Sequence, residues 1–339
     1  MHALLYRATA ACSAAVLSAY AADPSETLIR AADADRTTTY EGVVLYRGDE
    51  QYDVLKVQHR FSDGIEREHI VSLTGEPRQL LRIDHRLICI LPKDRMVSID
   101  RPAGMKNFLS QLKAERLHEL AQWYEFRDQG SGRIAGRDCN GVVVMPRDQY
   151  RYGYEMWADK ITGMPLKLTL VGQQGEVLEQ VMFTEVSFPA SIEDAAFLEP
   201  PVDASKFKLI ASDLPSLDAA PANDDRPQVT FEKLPPGYRV VAREQRPLPG
   251  SPNGQVEHLL LSDGLSAVSV FSAVEQHAPE KSFRGVSHMG PVEAYGRMVG
   301  SYHITIMGEV PPQAVRMIGD GVRPVFDFES PPPAPAHNP

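Results

Sequence analysis

Short runs of β-branched and aromatic residues, broken every few positions by Gly, Pro, Asp or Ser, fill residues 23–205. Tyr40 to Arg47, Tyr52 to Phe61, Gly64 to Leu73, Arg78 to Ile83, Leu87 to Leu91 and Arg95 to Ile99 each read as a strand. The breaks between them (Gly48-Asp49, Ser62-Asp63-Gly64, Thr74-Gly75-Glu76-Pro77 and Pro92-Lys93-Asp94) are turn sequences that join antiparallel neighbours. Spacing becomes helical over Met105, Phe108, Leu109, Leu112, Leu117 and Leu120. Strands then resume at Tyr124, Val142 to Met145, Tyr150 to Trp157, Pro165 to Val171 and Val177 to Phe188.

Ahead of the first strand, Asp23-Pro24-Ser25-Glu26 is a helix start, with Asp23 as cap and Pro24 at the first helical position. The helix should end near Arg36. A large antiparallel sheet with few helices must cover its apolar face. The expected fold is therefore α+β and mostly antiparallel β: an unclosed, strongly curved barrel with helices on its concave side.

Residues 206–225 read as a linker rich in Ser, Asp, Pro and Asn, and residues 226–328 as a small mixed α/β unit. Its strands are expected at Tyr238 to Arg243, Val256 to Ser262, Ala267 to Ala273, Ala294 to Val299 and His303 to Val310, followed by a helix opening at Pro311-Pro312. The tail 329–339 is proline-rich and expected to be disordered. Residues 1–22 carry an apolar Ala-rich stretch and the small-x-small pattern Ala19-Tyr20-Ala21, the features of a secretory signal. Beyond it no apolar run approaches ~18 residues, so no membrane-spanning helix is expected.

Export changes how the three cysteines read. Cys12 leaves with the leader, and Cys89 and Cys139 either form one bridge or pack as two buried thiols. A net charge of −10 makes nucleic acid a poor partner.

Catalytic patterns are weak. Gly130-Ser131-Gly132-Arg133-Ile134-Ala135-Gly136 is followed by a strand, whereas a dinucleotide loop needs a helix there, so it reads as a hairpin turn. Ser287 and His288 are neighbours in a surface polar segment, and adjacent strand residues point to opposite faces. No metal or cofactor site is expected, and the chain reads as a binding protein rather than an enzyme. Tyr150, Tyr152, Tyr154 and Met156 alternate with Arg151, Glu155 and Trp157. With Trp123 and Phe126 they form either core or the lining of an apolar pocket.

Several phrases resemble the MucB/RseB family of periplasmic sigma-factor regulators across both halves. They are Arg151-Tyr152-Gly153-Tyr154-Glu155-Met156-Trp157, Gly175-Glu176-Val177-Leu178-Glu179-Gln180, Leu234-Pro235-Pro236-Gly237-Tyr238, Arg246-Pro247-Leu248-Pro249, Ser262-Asp263-Gly264-Leu265 and Ile304 to Pro312. The resemblance implies a first domain like the lipoprotein carriers LolA and LolB. It implies that the protein binds the periplasmic segment of a single-pass membrane anti-sigma factor and shields it from proteolysis, with release by lipid, lipopolysaccharide or lipoprotein. Self-association as a homo-oligomer is also implied. Arg246, Pro247 and Leu248 are candidate partner contacts, since Arg is favoured at interfaces and Pro preorganises backbone. The competing reading is a periplasmic lipid or lipoprotein carrier, which would leave the second domain without a task.

Overall fold

The computed structural model of the chain describes residues 23–48, 51–84, 86–94, 96–100, 109, 112–198, 208–211, 228–247, 255–274 and 283–325. The expected leader, Met105, Phe108, most of the linker, Leu248 and the tail 329–339 lie outside these residues.

Helix α1 (Pro24–Thr37) starts as the sequence predicts: the Asp23 carboxylate accepts from the Ser25 N–H at 2.8 Å. The first sheet then forms from β1 (Tyr40–Gly48), β2 (Gln51–Ser62), β3 (Ile65–Ser72), β4 (Gln79–Ile83), β5 (Arg86–Leu91) and β6 (Met96–Asp100). It continues with β7 (Tyr124–Ile134), β8 (Arg137–Pro146), β9 (Gly153–Asp159), β10 (Pro165–Val171), β11 (Val177–Ser187) and β12 (Lys208–Ala211). The order is β12-β6-β5-β4-β3-β2-β1-β11-β10-β9-β8-β7 in one 12-stranded sheet. Its ends, β12 and β7, are not paired with each other, so the barrel is unclosed. Strand β12 falls inside the stretch expected as linker and runs parallel to β6.

Register shifts at Val43/Val44 and Asp128/Gly130 help bend the sheet. The glycine-rich segment lies in the β7–β8 hairpin, where Ala135 and Gly136 form the two-residue turn with φ of 48° and 76°. Positive φ at both turn residues matches the twist of the flanking strands.

Strand alternation sorts the apolar side chains into two layers. On one face, Leu28 and Ala31 of α1 pack with Tyr124, Val142, Met156 and Leu168. On the far side of β4 and β5, Leu81, Ile88 and Ile90 meet Ile192 and Phe197.

The second domain contains a six-stranded sheet in the order β14-β15-β16-β19-β18-β17. These strands are β14 (Arg239–Pro247), β15 (Gln255–Ser262), β16 (Ala267–Val274), β17 (Gly285–Met289), β18 (Val292–Val299) and β19 (Tyr302–Gly308). The helix Pro312–Gly321 buries Ala314, Val315 and Ile318 against Leu259, Val270 and Ile306. A small ribbon of β13 (Val229–Phe231) and β20 (Val322–Pro324) lies beside it. Strands β13, β17 and β20 are too short or too polar to read from sequence.

Candidate ligand cavity and domain interface

The curl of the first sheet forms a half-open cavity of about 610 Å³. That volume suits a small-molecule ligand. Strands β1 to β5 build one wall and β10 and β11 the other. One wall is a single cross-strand row, Val57, Ile70, Leu80 and Cys89, each opposite the next. Leu166, Leu168, Val181 and Phe183 face it from β10 and β11, and Leu109 adds an apolar side chain from outside the sheet.

The polar groups in the lining are few and held. Arg82 bridges Glu66 and Glu68, the latter at 3.2 Å. Arg78 pairs with Asp53, and Lys167 with Glu155 at 2.8 Å. Glu179 accepts a hydrogen bond from the Tyr46 phenol. Burial raises the Glu179 pKa above the usual carboxylate range, and the Tyr46 hydrogen bond opposes this only in part. Burial likewise raises the Cys89 thiol, against the opposing field of Arg78. An acyl chain in this space would gain ~0.8 kcal/mol for each methylene taken out of water.

The two domains meet at Arg151, which is wholly buried. Its Nε donates to Asp263 Oδ2 at 2.6 Å, and its terminal nitrogens donate to Asp148 and to the Pro236 carbonyl. Asp263 is equally satisfied. Oδ2 also accepts from Tyr124 Oη at 2.9 Å, and Oδ1 accepts the Leu265 and Ser266 N–H groups at 2.8 Å each. The guanidinium sits 5.3 Å from the Trp123 ring, 5.7 Å from Tyr124 and 5.1 Å from Tyr238. Burial works against the charge of Arg151, but Asp263 overrides it and the pKa is raised.

The neighbouring contacts are apolar and close. Leu265 of the second domain is buried in the first domain's core with Leu120, Tyr124 and Tyr154. Gly237 has φ +81°, and a Cβ there would lie 2.5 Å from Trp123 Cε2. A side chain at that position is excluded both by backbone conformation and by the indole.

The residues singled out from sequence occupy different places. None of Trp123, Phe126, Tyr152, Tyr154, Met156 and Trp157 lines the cavity. Tyr152, Tyr154 and Met156 are buried in the core shared with α1, and Trp123 and Phe126 pack against it. Trp157 follows Met156, so alternation turns it to the opposite face, where its ring covers Gly132 and Gly141 and its N–H donates to Glu155 at 2.7 Å. Cys89 and Cys139 are free thiols on β5 and β8, which are separated by seven strands in sheet order, so the bridged alternative is not realised. Arg246 and Pro247 lie on β14, an edge strand, and Leu248 is outside the described residues. Ser287 and His288 lie on β17, every residue of which is exposed. Among the described residues, no cluster of His, Cys, Asp and Glu is arranged to hold a metal.

No local pattern marks the cavity walls, because each strand contributes at most three apolar residues and the curl that unites them is non-local. Arg151 and Asp263 offered a signal, since both stand in phrases that carried the resemblance.

An unclosed sheet with an apolar hollow, locked through a buried ion pair to a second small domain, defines a two-domain binding protein. Family models described as the MucB/RseB N-terminal domain and the MucB/RseB C-terminal domain match residues 23–201 and 223–323. The chain belongs to the MucB/RseB family of sigma-factor regulatory proteins. It is 30% identical over 323 residues to the Pseudomonas aeruginosa sigma factor AlgU regulatory protein MucB, covering 91% of this chain and 94% of that one. It is 25% identical over 291 residues to the Escherichia coli K12 sigma-E factor regulatory protein RseB, covering 86% and 87%. The solved complex of Pseudomonas aeruginosa MucA and MucB superimposes with a TM-score of 0.67 at 28% identity, over 89% of this chain and 99% of the solved one.

Proposed function

We propose that this chain is a non-enzymatic periplasmic regulator that binds the periplasmic segment of a single-pass membrane anti-sigma factor and shields it from proteolysis. The observation that carries this reading is similarity across both domains to MucB, a sigma factor regulatory protein solved in complex with MucA(peri). The exposed edge strand β14, which carries Arg246 and Pro247, is the segment we assign to partner contact. An extended peptide can add to such an edge through backbone hydrogen bonds.

The cavity supplies the signal input in this account. A lipid-like molecule occupying it favours a domain arrangement that holds the partner less well, because only a ligand with unequal affinity for two states shifts their balance. Size-exclusion chromatography of the purified chain with the soluble periplasmic segment of the anti-sigma factor from the same organism tests the reading. Co-elution is expected; separate elution at micromolar concentrations contradicts it.

The apolar lining also favours a second reading, lipid or lipoprotein carriage. Native mass spectrometry of the purified protein separates the two. A carrier retains stoichiometric lipid and ignores the anti-sigma segment.

A further inference from the structure

The cavity face of the first sheet carries one polar row. Sheet register sets Tyr40 of β1 opposite His59 of β2, His59 opposite Glu68 of β3, Glu68 opposite Arg82 of β4 and Arg82 opposite Leu87 of β5. The row lies two residues along each strand from Val57, Ile70, Leu80 and Cys89, so alternation turns both rows to the same side. Tyr40, Glu68, Arg82 and Leu87 line the cavity, and Asp35 joins them from α1. Tyr40 is 2% exposed and Glu68 5%.

These groups are fixed where they stand. The Tyr40 ring stacks on His59 with centroids 4.8 Å apart and meets the Phe183 ring edge-on at 5.7 Å. His59 Nδ1 donates to the Thr38 carbonyl at 2.8 Å, and its Nε2 lies 3.1 Å from Glu66 Oε1. One proton serves that second contact, whichever atom carries it, so the pair is neutral as a whole. Arg82 holds Glu68 at 3.2 Å and pairs with Glu66 as well. Glu68 thus matches the charge of Arg82, and Asp35 adds one negative charge. A carboxylate or phosphate placed here would leave water without a cation of its own.

Donor capacity is nevertheless left over at this end. Tyr40 Oη makes no hydrogen bond among the described residues, although the ring lines the cavity. Arg82 Nε is buried and also without a partner among them. Burial first, then the charges of Glu68 and Asp35, raise the Tyr40 pKa, so the phenol keeps its proton and can donate. A buried donor left unmet is costly, and a ligand oxygen that meets it recovers that cost. Beyond the polar row the cavity turns apolar. Arg78 stands four residues from Arg82, about 13 Å at the rise of a strand, and Val57, Ile70, Leu80 and Cys89 fill the interval.

We propose that the Tyr40, Glu68 and Arg82 end of the cavity is the head-group site for a single-chain amphiphile with an uncharged, hydroxyl-bearing head of the glycerol ester type, its acyl chain lying along Val57, Ile70, Leu80 and Cys89. Oxygens of the head accept from Tyr40, and its hydroxyls donate to the Glu68 and Asp35 carboxylates. An ionised fatty acid lacks those donors and brings a charge that both carboxylates repel. The proposal rests on the reading of this cavity as the ligand site and adds which head group it selects.

Isothermal titration calorimetry of the full chain with monolauroylglycerol and with laurate, each below its micelle concentration at about pH 8, tests it. The two probes share one chain and differ only in the head. Monolauroylglycerol is expected to bind roughly tenfold more tightly than laurate. Tyr40→Phe removes only a hydroxyl that bonds nothing among the described residues, so the fold is retained. It is expected to weaken monolauroylglycerol roughly fivefold and to leave laurate unchanged. Laurate binding as tightly as the glycerol ester, or Tyr40→Phe affecting both probes alike or neither, overturns the head-group site alone. If neither probe binds, the reading of the cavity as a ligand site falls and the head-group site falls with it.

Discussion

Arg151 Nε lies 2.6 Å from Asp263 Oδ2, with both side chains wholly excluded from solvent. One residue belongs to each domain, so the ion pair is a lock between them. A buried pair adds little net stability over a well-packed apolar pair, yet breaking one partner strands a charge. Arg151→Met is therefore expected to cost about 3–5 kcal/mol and to split a single cooperative urea transition into two. Circular dichroism and tryptophan fluorescence followed together check this, and coincident single transitions in the variant would contradict it.

Gly237 and Trp123 provide a second test of the same interface. With φ at +81° and Trp123 Cε2 only 2.5 Å from where a Cβ would sit, Gly237→Ala meets both strain and collision. The backbone penalty alone is about 1–2 kcal/mol. The indole must also move away from Arg151, so Trp123 emission should shift to longer wavelength. Measuring in a Trp157→Phe background assigns the signal.

These residues also show how much was legible in the sequence. Turn chemistry and alternation located most of the strands, because each depends on a handful of neighbouring residues. The phrases around Arg151, Gly237-Tyr238 and Asp263-Gly264 stood apart as three separate resemblances. In the fold they converge on one interface: Arg151 bonds Asp263 and the Pro236 carbonyl, and Tyr238 Oη contacts Ser266 Oγ at 2.5 Å. No local pattern reveals that convergence, since the two contacts of Arg151 span 112 and 85 positions. Alternation predicts Tyr150, Tyr152, Tyr154 and Met156 on one face; the last three share one core, whereas Tyr150 packs against the core of the second domain, and the pattern cannot distinguish core from cavity lining. That difference depends on what packs opposite, here α1 and Leu265.

Asp159 should make the first domain acid-sensitive. Burial pushes its pKa up, but hydrogen bonds from Arg137 and Thr162 outweigh this and hold it below the usual carboxylate range. Arg137 Nε donates at 2.7 Å and the Thr162 N–H at 2.7 Å. Since the folded value is depressed, the stabilisation is present above the unfolded aspartate pKa and is lost as pH falls through the folded value. Asp159→Asn is expected to cost about 2 kcal/mol at neutral pH, with the gap to the parent closing below roughly pH 4. A gap that persists undiminished under acid would contradict the assignment.

Both cysteines should react slowly, Cys139 because it is buried and Cys89 because it is half-buried in the cavity wall. Burial raises the pKa of Cys89 and of Cys139, and thiolate is the reactive form. Thiol titration is expected to find Cys89 and Cys139 slow to react in the folded protein and both reactive after unfolding without reductant. A protein in which neither reacts until reduced would mean that they are bridged.

The central claim is that the cavity of the first domain and the partner-binding surface are energetically coupled. The direct measurement is the affinity of a fluorescently labelled anti-sigma periplasmic segment for the chain, with and without saturating oleate, in the parent protein and in Leu80→Trp. Leu80 lines the cavity, in the middle of the row Val57, Ile70, Leu80 and Cys89, so an indole there obstructs it. The account predicts that oleate weakens binding of the segment to the parent by roughly tenfold and leaves binding to Leu80→Trp unchanged. Equal affinities with and without oleate in the parent, once oleate is shown to occupy the cavity, would contradict it.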